Sequence, residues 1–389
     1  MTRVAVVGIG QRARLATHVA ATEGARVVAC ADPDPAAADR AAQLFGPGVD
    51  FRSDYRDLPS EDLDAVILTT PDDCHTEPAL WFLSAGVPVL VEKPLAITTE
   101  DCDRVLAAAM AAGTRLYVAH NLRHAPVVRA MKALIEEGRI GQVKSVWCRH
   151  FVGHGGDFYF KDWHAERSRT TGLLLQKGAH DLDVIHWLAG GYCRQVVALG
   201  DLMVYGANPR RRPGDPPAGA VLSDWRDDSI WPPAALGGLN PEVDVEDLSM
   251  LLGRLDNGVL VSYQQCHFTP DYWRNYTVIG DAGRLENFGD LDGAVVRVWN
   301  TGRSGYRADA DLVVDIPAGA DHGGADAALV AEFLRFARHG GPTETSPMAA
   351  REAVAAGVAA TTSLRAGGRP TTVPAPAPEV VAYFGRGQT

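Results

Sequence analysis

A lysine in the segment Val91-Glu92-Lys93-Pro94 is placed for chemistry on a bound ligand. Residues 87–90, just before it, form an apolar run that predicts a short buried strand, and Pro94 is expected to end that strand. A side chain at the carboxyl end of a parallel strand reaches the crevice in which open α/β sheets bind their ligands. The segment therefore predicts an ammonium group beside a reacting centre.

A pattern near the N-terminus indicates which ligand that is. Residues 4–7 are a β-branched run, and the turn Gly8-Ile9-Gly10-Gln11-Arg12-Ala13 follows it. A small-residue helix over residues 15–22 comes next, and a strand over residues 26–31 ends at Asp32, about 20 residues after the second glycine. This order of elements (strand, glycine turn, helix, strand and acid) predicts a dinucleotide site. In such a site, backbone amides bind the pyrophosphate and the acid binds the ribose.

Asp32 also favours NAD over NADP as the dinucleotide. Its carboxylate would repel a 2′-phosphate, and the residues that follow, Pro33-Asp34-Pro35, offer no cation to bind one. The nearest basic residue, Arg40, is expected a helical turn or more inside the next helix. Together with Lys93, the pattern indicates nicotinamide chemistry.

A second polar set lies in the segment from Gly172 to Asp183. Residues 174–188 predict a helix, and residues three and four positions apart share one helix face. Gln176, Lys177, His180 and Asp183 can therefore converge. Oxidation of an alcohol needs a base for the hydroxyl proton, and a histidine suits that role. The alternative for His180 is a core histidine bound to a backbone group.

Bulk composition excludes some classes of protein. At 389 residues the chain is long enough for two domains, and its 46% hydrophobic and 22% charged residues are ordinary for a globular enzyme. A net charge of −11 argues against nucleic acid and against anionic membrane surfaces as partners. No apolar run approaches a membrane span, and the first residues enter a strand without room for a signal peptide. Six scattered cysteines with no Cys-x-x-Cys pair fit a reducing cytoplasm.

The first 122 residues predict a doubly wound Rossmann domain of α/β class. Five strands are expected, over residues 4–7, 26–31, 64–68, 87–90 and 115–119. The helices between them include residues 75–85 and 100–112, the latter with Thr98 as its N-cap.

Residues 123–389 predict a second domain of α+β class with an open, mostly antiparallel sheet. Its expected strands are residues 142–151, 195–205, 248–255, 259–267 and 276–280, with a hairpin turn at Asp256-Asn257-Gly258. Helices over residues 126–137, 174–188, 325–338 and 348–366 are expected, and the last three would cover one face of the sheet. Residues 208–242 are rich in Pro, Gly and Arg and predict a long loop, either an active-site lid or subunit contact, or a plain surface excursion.

The order of these motifs resembles the Gfo/Idh/MocA family of NAD(P)-dependent oxidoreductases. The resemblance runs from the glycine turn through Thr70-Pro71 and His75, Glu92-Lys93-Pro94 and Asn121-x-Arg123 to the helix bearing His180 and Asp183. It implies a Rossmann domain, an open-sheet domain that carries the substrate, and hydride transfer at a secondary alcohol of a sugar or cyclitol. It further implies a homodimer or homotetramer that forms through the outer face of the sheet.

The resemblance also assigns roles to residues. His180 is the base, and Lys93 hydrogen-bonds the same hydroxyl, stabilises alkoxide charge and helps to seat the nicotinamide. The family commonly has an aspartate four residues before the histidine, where this chain has Gln176, which cannot titrate. Lys177 is a candidate for part of that polar work. The predicted catalytic residues are Lys93, His180, Lys177 and Gln176.

The ligand contacts are expected as follows. The predicted cofactor-binding residues are Gly8, Ile9, Gly10, Gln11, Arg12, Asp32, Thr70, Pro71, His75, Glu92, Lys93 and Asn121. The predicted substrate-binding residues are Lys93, Arg123, Trp163, His164, Lys177 and His180. Trp163 offers an apolar ring on which a sugar can stack. The trio His150, His154 and His164 lacks the carboxylate or cysteine spacing of a metal site, so no metal is expected.

Three classes of function are compatible with these residues. The leading prediction is an NAD-dependent dehydrogenase that acts on a secondary hydroxyl of a sugar, cyclitol or glycoside. A redox-neutral enzyme that retains NAD through turnover is the second, since Gln176 departs from the family pattern. A nonenzymatic dinucleotide-binding regulator is the third, but Lys93 and His180 are intact and no basic DNA-binding segment is present.

Overall fold

The computed structural model describes residues 1–212, 214–215, 217–219, 221–290, 293–317 and 320–388. The chain forms two compact units. Unit 1 consists of Met1–Asn121, Asp326–Val354 and Pro376–Thr389, and unit 2 consists of Leu122–Ala325 and Ala355–Ala375. The expected boundary at residue 122 thus lies beside the observed one, but the expected continuous second domain, 123–389, needs correction, because two later segments return to unit 1.

The strands of the described residues are β1 (Thr2–Val7), β2 (Ala25–Ala31), β3 (Asp50–Arg52), β4 (Ala65–Leu68), β5 (Val89–Val91), β6 (Leu116–Val118), β7 (Val143–Phe151), β8 (Cys193–Asp201), β9 (Leu248–Leu255), β10 (Leu260–Cys266), β11 (Trp273–Gly280), β12 (Arg284–Phe288), β13 (Val295–Trp299), β14 (Leu312–Asp315) and β15 (Thr371–Thr372). The α-helices are α1 (Ala37–Phe45), α2 (Thr76–Ser84), α3 (Thr99–Ala112), α4 (Pro126–Glu136), α5 (Gly155–Tyr159), α6 (Arg167–Thr170), α7 (Leu173–Gln176), α8 (Gly178–Ala189), α9 (Ala320–His339), α10 (Pro347–Arg365) and α11 (Pro378–Gly385). An additional helix of 3₁₀ geometry, Gln11–Ala21, follows the glycine turn.

The sheet of unit 1 is parallel, with the strand order β3-β2-β1-β4-β5-β6. This is the doubly wound order, and it confirms the predicted Rossmann fold. The sequence predicted five of the six strands and missed β3, because its three residues are partly exposed and form no apolar run. Thr98 caps α3 as predicted, since its side chain accepts a hydrogen bond from the backbone of Asp101.

Helix α9 explains why the C-terminal part of the chain returns to unit 1. Its apolar face, which includes Leu329, Phe333 and Phe336, is buried in one cluster with Val4 and Tyr117 of the parallel sheet. The expectation that this helix, over residues 325–338, covers the second sheet was therefore wrong. An apolar helix face can be read from the sequence, but the sheet on which it packs cannot.

The sheet of unit 2 has nine strands in the order β14-β13-β12-β11-β7-β10-β9-β8-β15. Its neighbours are antiparallel except for β7 and β10, which confirms an open, mostly antiparallel sheet. The hairpin between β9 and β10 turns at the predicted position, where Gly258 has a φ of 84°. Helix α8 packs on β7 and β10. The sequence missed β12 to β15, which are short and carry polar residues among their apolar ones.

The long segment that leads into β9 packs against α5 as a second, smaller core of unit 2. Buried side chains of this segment, including Tyr205 and Leu239, lie in one cluster with Tyr159 and Phe160. The predicted loop over residues 208–242 is therefore anchored by apolar contacts, although Pro213, Pro216 and Ala220 lie outside the described residues. Across the part of the chain that is described, no helix combines the length and apolar character needed to cross a bilayer.

Candidate functional site

The glycine turn of unit 1 is shaped by contact with the loop that follows β4. Gly8 has a φ of 90°, and a Cβ atom there would lie 2.6 Å from the backbone nitrogen of Thr70. Only glycine satisfies both conditions. Gly10 is different, because a Cβ there would meet no atom within 4 Å. The open side at Gly10 leaves room for a ligand to approach the backbone, as a bound pyrophosphate requires.

The predicted ribose acid is fixed by backbone amides. One oxygen of Asp32 accepts a hydrogen bond from the Ile9 nitrogen at 2.7 Å, and the other accepts one from Asp34 at 2.8 Å. A carboxylate has further lone pairs, so Asp32 can still accept bonds from ribose hydroxyls.

Arg40 lies closer to this turn than the sequence indicated. It belongs to the first turn of α1, and its guanidinium reaches back to donate to the Ile9 carbonyl oxygen at 3.0 Å. Asp34 pairs with the same guanidinium at 2.9 Å. Arg40, the cation beside Asp32, is thus already paired with the carboxylate of Asp34. The residues around Asp32 therefore continue to favour NAD over NADP.

His75 links two loops of unit 1. Its Nδ1 lies 2.7 Å from the carbonyl oxygen of Pro94, and its Nε2 lies 3.0 Å from that of Thr70. The side chain is fully buried, so both ring nitrogens are engaged by the backbone. His75 can act on a cofactor only through the loops that carry Thr70-Pro71 and Lys93.

Glu92 anchors the predicted catalytic lysine to the glycine-turn helix. One carboxylate oxygen accepts a hydrogen bond from Nε of Arg12 at 2.5 Å, and the other accepts one from the backbone nitrogen of Lys93 at 2.7 Å. Arg12 also pairs with Asp326 at 3.0 Å, and Asn121 donates to Asp326 at 2.8 Å. Burial disfavours the charge of Arg12, but Glu92 and Asp326 outweigh it and raise the pKa of the guanidinium. Asp326 was missed, because nothing in its local sequence marks so distant a partner.

Asn121 supplies an independent test of whether a dinucleotide fits unit 1. The residue is 3% exposed, its amide nitrogen is bound by Asp326, and its Oδ1 has no hydrogen-bond partner among the described residues. A buried acceptor without a donor is uncommon in a folded protein. The open face of Gly10, the acid at Asp32 and this acceptor are consistent with a bound dinucleotide.

The predicted helix over residues 174–188 is interrupted at Lys177, between α7 and α8. Lys177 and His180 are half-buried, and Gln176 is 4% exposed. The ammonium of Lys177 lies 5.8 Å from the centre of the Tyr159 ring. Lys177 is thus directed at an aromatic side chain that the sequence did not single out.

Arg123 and Asp183 form a buried pair in unit 2. The guanidinium donates two hydrogen bonds to the carboxylate, at 2.7 and 2.8 Å, and the side chains are 7% and 1% exposed. The guanidinium also lies over Trp187, 5.2 Å from the ring centre. Arg123 was expected to contact substrate, and Asp183 was expected to share a helix face with His180; the structure places the two against each other, where they fix α8.

Asp181, the neighbour of His180, is the centre of a buried network. It accepts hydrogen bonds from the hydroxyls of Tyr263 at 2.8 Å and Tyr276 at 2.5 Å, and from His150 at 2.8 Å. Nε of Arg274 lies 3.0 Å away. Burial raises the pKa of Asp181, but Arg274 and the hydrogen bonds outweigh burial and hold it well below its usual range.

The sequence contains a signal for Asp181 that was overlooked. Asp181 shares a helix face with Ile185 and Leu188, which are buried, so an acid stands where an apolar residue is expected. A buried acid needs partners, and polar residues on the inward positions of β10 and β11 supply them.

Trp163 and His164 lie in an aromatic group with α5. Their rings stack with centres 3.8 Å apart, and His164 also meets the Tyr159 ring edge-on at 5.4 Å. Nδ1 of His164 lies 2.5 Å from Asp162. The histidine is therefore oriented by a carboxylate, with Nε2 as its remaining polar atom.

The three histidines that were weighed as metal ligands contact three different carboxylates. His150 binds Asp181, His154 lies 3.4 Å from Asp228, and His164 binds Asp162. Within the described residues, no cluster of three or more His, Cys, Asp or Glu side chains could hold a metal ion.

Comparisons with known proteins agree with this arrangement. Residues 2–120 match a family model described as "Oxidoreductase family, NAD-binding Rossmann fold", and residues 128–286 match one described as "GFO/IDH/MocA C-terminal domain". Among curated proteins, YteT of Bacillus subtilis (strain 168) is 28% identical over 258 residues, which are 58% of this chain and 60% of YteT. An inositol 2-dehydrogenase of Burkholderia multivorans is 36% identical over 169 residues, 43% of this chain and 48% of that protein. The chain thus spans 48–60% of the length of these two relatives.

Solved structures share the fold over nearly the whole chain. A levoglucosan dehydrogenase solved in complex with NADH has a TM-score of 0.76 at 21% sequence identity, with 96% of this chain and 99% of that chain covered. At this identity the similarity concerns the fold alone.

Proposed function

Because the chain belongs to the Gfo/Idh/MocA family of oxidoreductases, we propose that it oxidises a secondary hydroxyl of a sugar, cyclitol or glycoside with NAD as the acceptor. The observation that carries the proposal is the position of Glu92. Its carboxylate binds both Arg12 of the glycine-turn helix and the backbone of Lys93, so the lysine is fixed relative to the predicted dinucleotide site. The names of an inositol 2-dehydrogenase and of a levoglucosan dehydrogenase with NADH among similar proteins support the substrate class.

The proposed chemistry divides between two side chains. His180 takes the hydroxyl proton, and Lys93 donates a hydrogen bond to the same oxygen and stabilises its developing negative charge. Bound NAD supplies the acceptor for the hydride that leaves the carbon, and the alcohol becomes a carbonyl. Gln176 cannot relay the proton onward because its amide does not titrate, so the proton leaves His180 by way of solvent or a substrate hydroxyl.

The other predicted ligand residues have the following proposed roles. Gly8, Ile9, Gly10, Gln11, Arg12, Asp32, Thr70, Pro71 and Asn121 bind the dinucleotide. Glu92 and His75 act through the loops that they fix. Trp163, His164 and Lys177 contact the substrate. Arg123 serves as a positioning residue for α8, since its guanidinium is held by Asp183.

A homodimer or homotetramer through the outer face of the large sheet, in the cytoplasm, is part of the proposal. Exposed apolar side chains lie on paired outward positions of β7 to β10. They are Trp147, Leu199, Met250, Leu252 and Leu260. An apolar patch of this kind on one sheet face is typical of a protein interface. The six cysteines form no disulfide in the described residues, which supports a reducing compartment.

Two substitutions test the proposal. Lys93→Met and His180→Asn should each lower the turnover of NADH formation by about 100-fold or more, because each removes a group that acts on the reacting hydroxyl. NAD should still bind to both variants, as measured by titration calorimetry. The substrate comes from a panel of inositols, aldoses, polyols and glycosides, read by NADH absorbance.

Exposed residues of the same types provide the controls. Lys144→Met and His339→Asn should leave turnover unchanged, because Lys144 has a 59% exposed side chain and His339 is exposed. Full turnover in either Lys93→Met or His180→Asn would refute the assignment.

Gln176 favours a second candidate, a redox-neutral enzyme on the same scaffold. Such an enzyme oxidises its substrate, eliminates or hydrolyses a group, and then restores the alcohol. Product formation from a glycoside without net NADH, together with dinucleotide that copurifies with the protein, would identify it.

A further inference from the structure

Three polar side chains surround Tyr159 in unit 2, and one of them, His267, has no role in the proposed chemistry. The Tyr159 ring lies 5.8 Å from the ammonium of Lys177, 5.4 Å from the ring of His164 and 5.0 Å from the ring of His267. Tyr159 therefore joins a predicted catalytic residue and a predicted substrate contact to a histidine without an assigned role. We call these four residues the Tyr159 cluster.

Gln265 lies near the end of β10, and His267 is the first residue after that strand. They lie two positions apart, so they face the same side of the sheet, and they are 0% and 1% exposed. Nε2 of Gln265 and both ring nitrogens of His267 have no hydrogen-bond partner among the described residues. Buried polar atoms are rarely left without partners, and here three occur on neighbouring inward positions.

The rest of each residue is held in place by hydrogen bonds. The Tyr263 hydroxyl shares its one proton between Asp181, at 2.8 Å, and Oε1 of Gln265, at 3.0 Å, which leaves the NH₂ group of Gln265 as the end that can donate elsewhere. The backbone nitrogen of His267 donates to the backbone carbonyl oxygen of Asp247 at 3.0 Å, and the carbonyl oxygen of His267 accepts from the Tyr205 hydroxyl at 2.9 Å. The amide of Gln265 and the backbone of His267 are therefore held in place before any ligand arrives.

The hydrogen-bonding capacity of these atoms defines a ligand class. Burial, and then the nearby His150 and Lys177, lower the pKa of His267 well below its usual range, so the ring is neutral with one donor and one acceptor. Gln265 adds donors, and Lys177 adds an ammonium. A hydroxyl both donates and accepts, whereas a carboxylate or ketone oxygen only accepts. The set therefore matches a ligand that carries two or more hydroxyl groups.

We propose that Gln265 and His267 form a hydroxyl-binding subsite that selects substrates with at least two hydroxyls besides the one that is oxidised. The inference rests on the proposed dehydrogenase function and names residues that decide its substrate. Gln265 donates to one hydroxyl, and a ring nitrogen of His267 donates to or accepts from a second hydroxyl. A substrate that lacks these hydroxyls leaves buried polar atoms without partners and binds less well for that reason.

The test uses Gln265→Met in the full-length protein, with the best polyol from the substrate panel and its deoxy analogues. Methionine keeps the length of glutamine and removes its donors. We expect kcat/KM for the parent polyol to fall by about tenfold to 100-fold through KM, with the KM for NAD unchanged. With the analogue that lacks the recognised hydroxyl, wild type and Gln265→Met should be equal. Gln264→Met, on the exposed side of the same strand, is the matched control.

His267 is tested by a pair of variants. His267→Phe keeps an aromatic ring against Tyr159 and should raise the KM for the polyol, whereas His267→Asn, which retains a donor and an acceptor, should restore part of the loss. A thermal unfolding curve for each variant identifies any that does not fold, and Gln265→Met then decides the matter.

The outcomes separate this inference from the proposed function. If wild type oxidises a polyol and Gln265→Met changes KM equally for the parent and every deoxy analogue, or not at all, the subsite is refuted while the dehydrogenase stands. If no panel member yields NADH, the proposed function fails, and calorimetric titration of the NAD-loaded protein with myo-inositol and D-glucose decides the subsite. Binding that Gln265→Met weakens supports it, and an absence of binding overturns it.

Discussion

Lys93 in unit 1 and His180 in unit 2 each adjoin a buried carboxylate in the sequence. Glu92 precedes the lysine and is held by Arg12 and by the lysine's own backbone. Asp181 follows the histidine and is held by Tyr263, Tyr276, His150 and Arg274. In both units the predicted catalytic side chain adjoins a residue that is itself fixed by groups from distant parts of the chain.

The two anchors differ in how far they are sealed from solvent. Arg12, the partner of Glu92, has a 37% exposed side chain, whereas Asp181 is fully buried and its partner Arg274 has a 5% exposed side chain. Charges in contact with solvent are screened and can exchange partners, while sealed charges depend on every partner present. The comparison indicates an adaptable anchor beside Lys93 and a rigid anchor beside His180.

The largest expected effect is on the sealed anchor. Asp181→Asn should lower the free energy of unfolding by about 3–5 kcal/mol, because it leaves Arg274 and two tyrosine hydroxyls without the charge that they surround. Urea denaturation measures the change. Asp228→Asn is the control, since Asp228 has a 59% exposed side chain and pairs with Arg226, and it should leave the free energy of unfolding nearly unchanged. A loss below about 1 kcal/mol for Asp181→Asn would show that the network is not sealed.

Unit 2 is also expected to lose stability in mild acid. Burial, and next Arg274, lower the pKa of His150 to about 3, and burial lowers the pKa of His186 to about 4 from an ordinary value of 6.5. The hydrogen bonding of His186 agrees with a neutral ring, because its Nε2 accepts a hydrogen bond from the backbone nitrogen of Cys193 at 3.2 Å. Such histidines are protonated in the unfolded chain before they are protonated in the fold. The free energy of unfolding that these neutral histidines contribute is fully present above pH 6.5 and is lost as the pH falls toward 4.

His186→Gln tests this expectation. Wild type should lose up to about 1.4 kcal/mol of unfolding free energy per pH unit for each buried histidine between pH 6 and 4.5, and His186→Gln should reduce that slope by about one proton. Urea denaturation at a series of pH values measures the slope. His339→Gln, at an exposed histidine, should leave it unchanged. An unaltered slope in His186→Gln would mean that this histidine is charged in the fold.

The sequence predicted what local patterns encode. The glycine turn, Asp32, the Lys93 segment, the cap at Thr98 and the hairpin at Gly258 were found at their places because each depends on residues close in the chain. Apolar periodicity likewise located most strands of both sheets. Strands that were missed, such as β3 and β14, are short and half-exposed, so they lack that periodicity.

Long-range partners were not predictable in the same way. Arg123 was expected at the substrate and is held by Asp183, 60 residues away, while Asp326 reaches Arg12 across 314 residues. No spacing rule relates such residues, because their contact is created by the packing of whole elements. Asp181 is the intermediate case, because an acid on a buried helix face indicates that polar partners exist but does not identify them.

The smallest effect on stability is expected at the adaptable anchor. Glu92→Gln should lower the unfolding free energy by only about 1 kcal/mol, because the amide still accepts one hydrogen bond and Arg12 keeps Asp326. Turnover should fall by about tenfold, since Lys93 loses a fixed position while NAD still binds. Steady-state kinetics and urea denaturation of one preparation give both values. Glu77→Gln, whose 68% exposed side chain pairs with Arg104, should change neither. If Glu92→Gln proved as destabilising as Asp181→Asn, solvent exposure would not distinguish the two anchors, and placement of the lysine would have to be as rigid as that of the histidine.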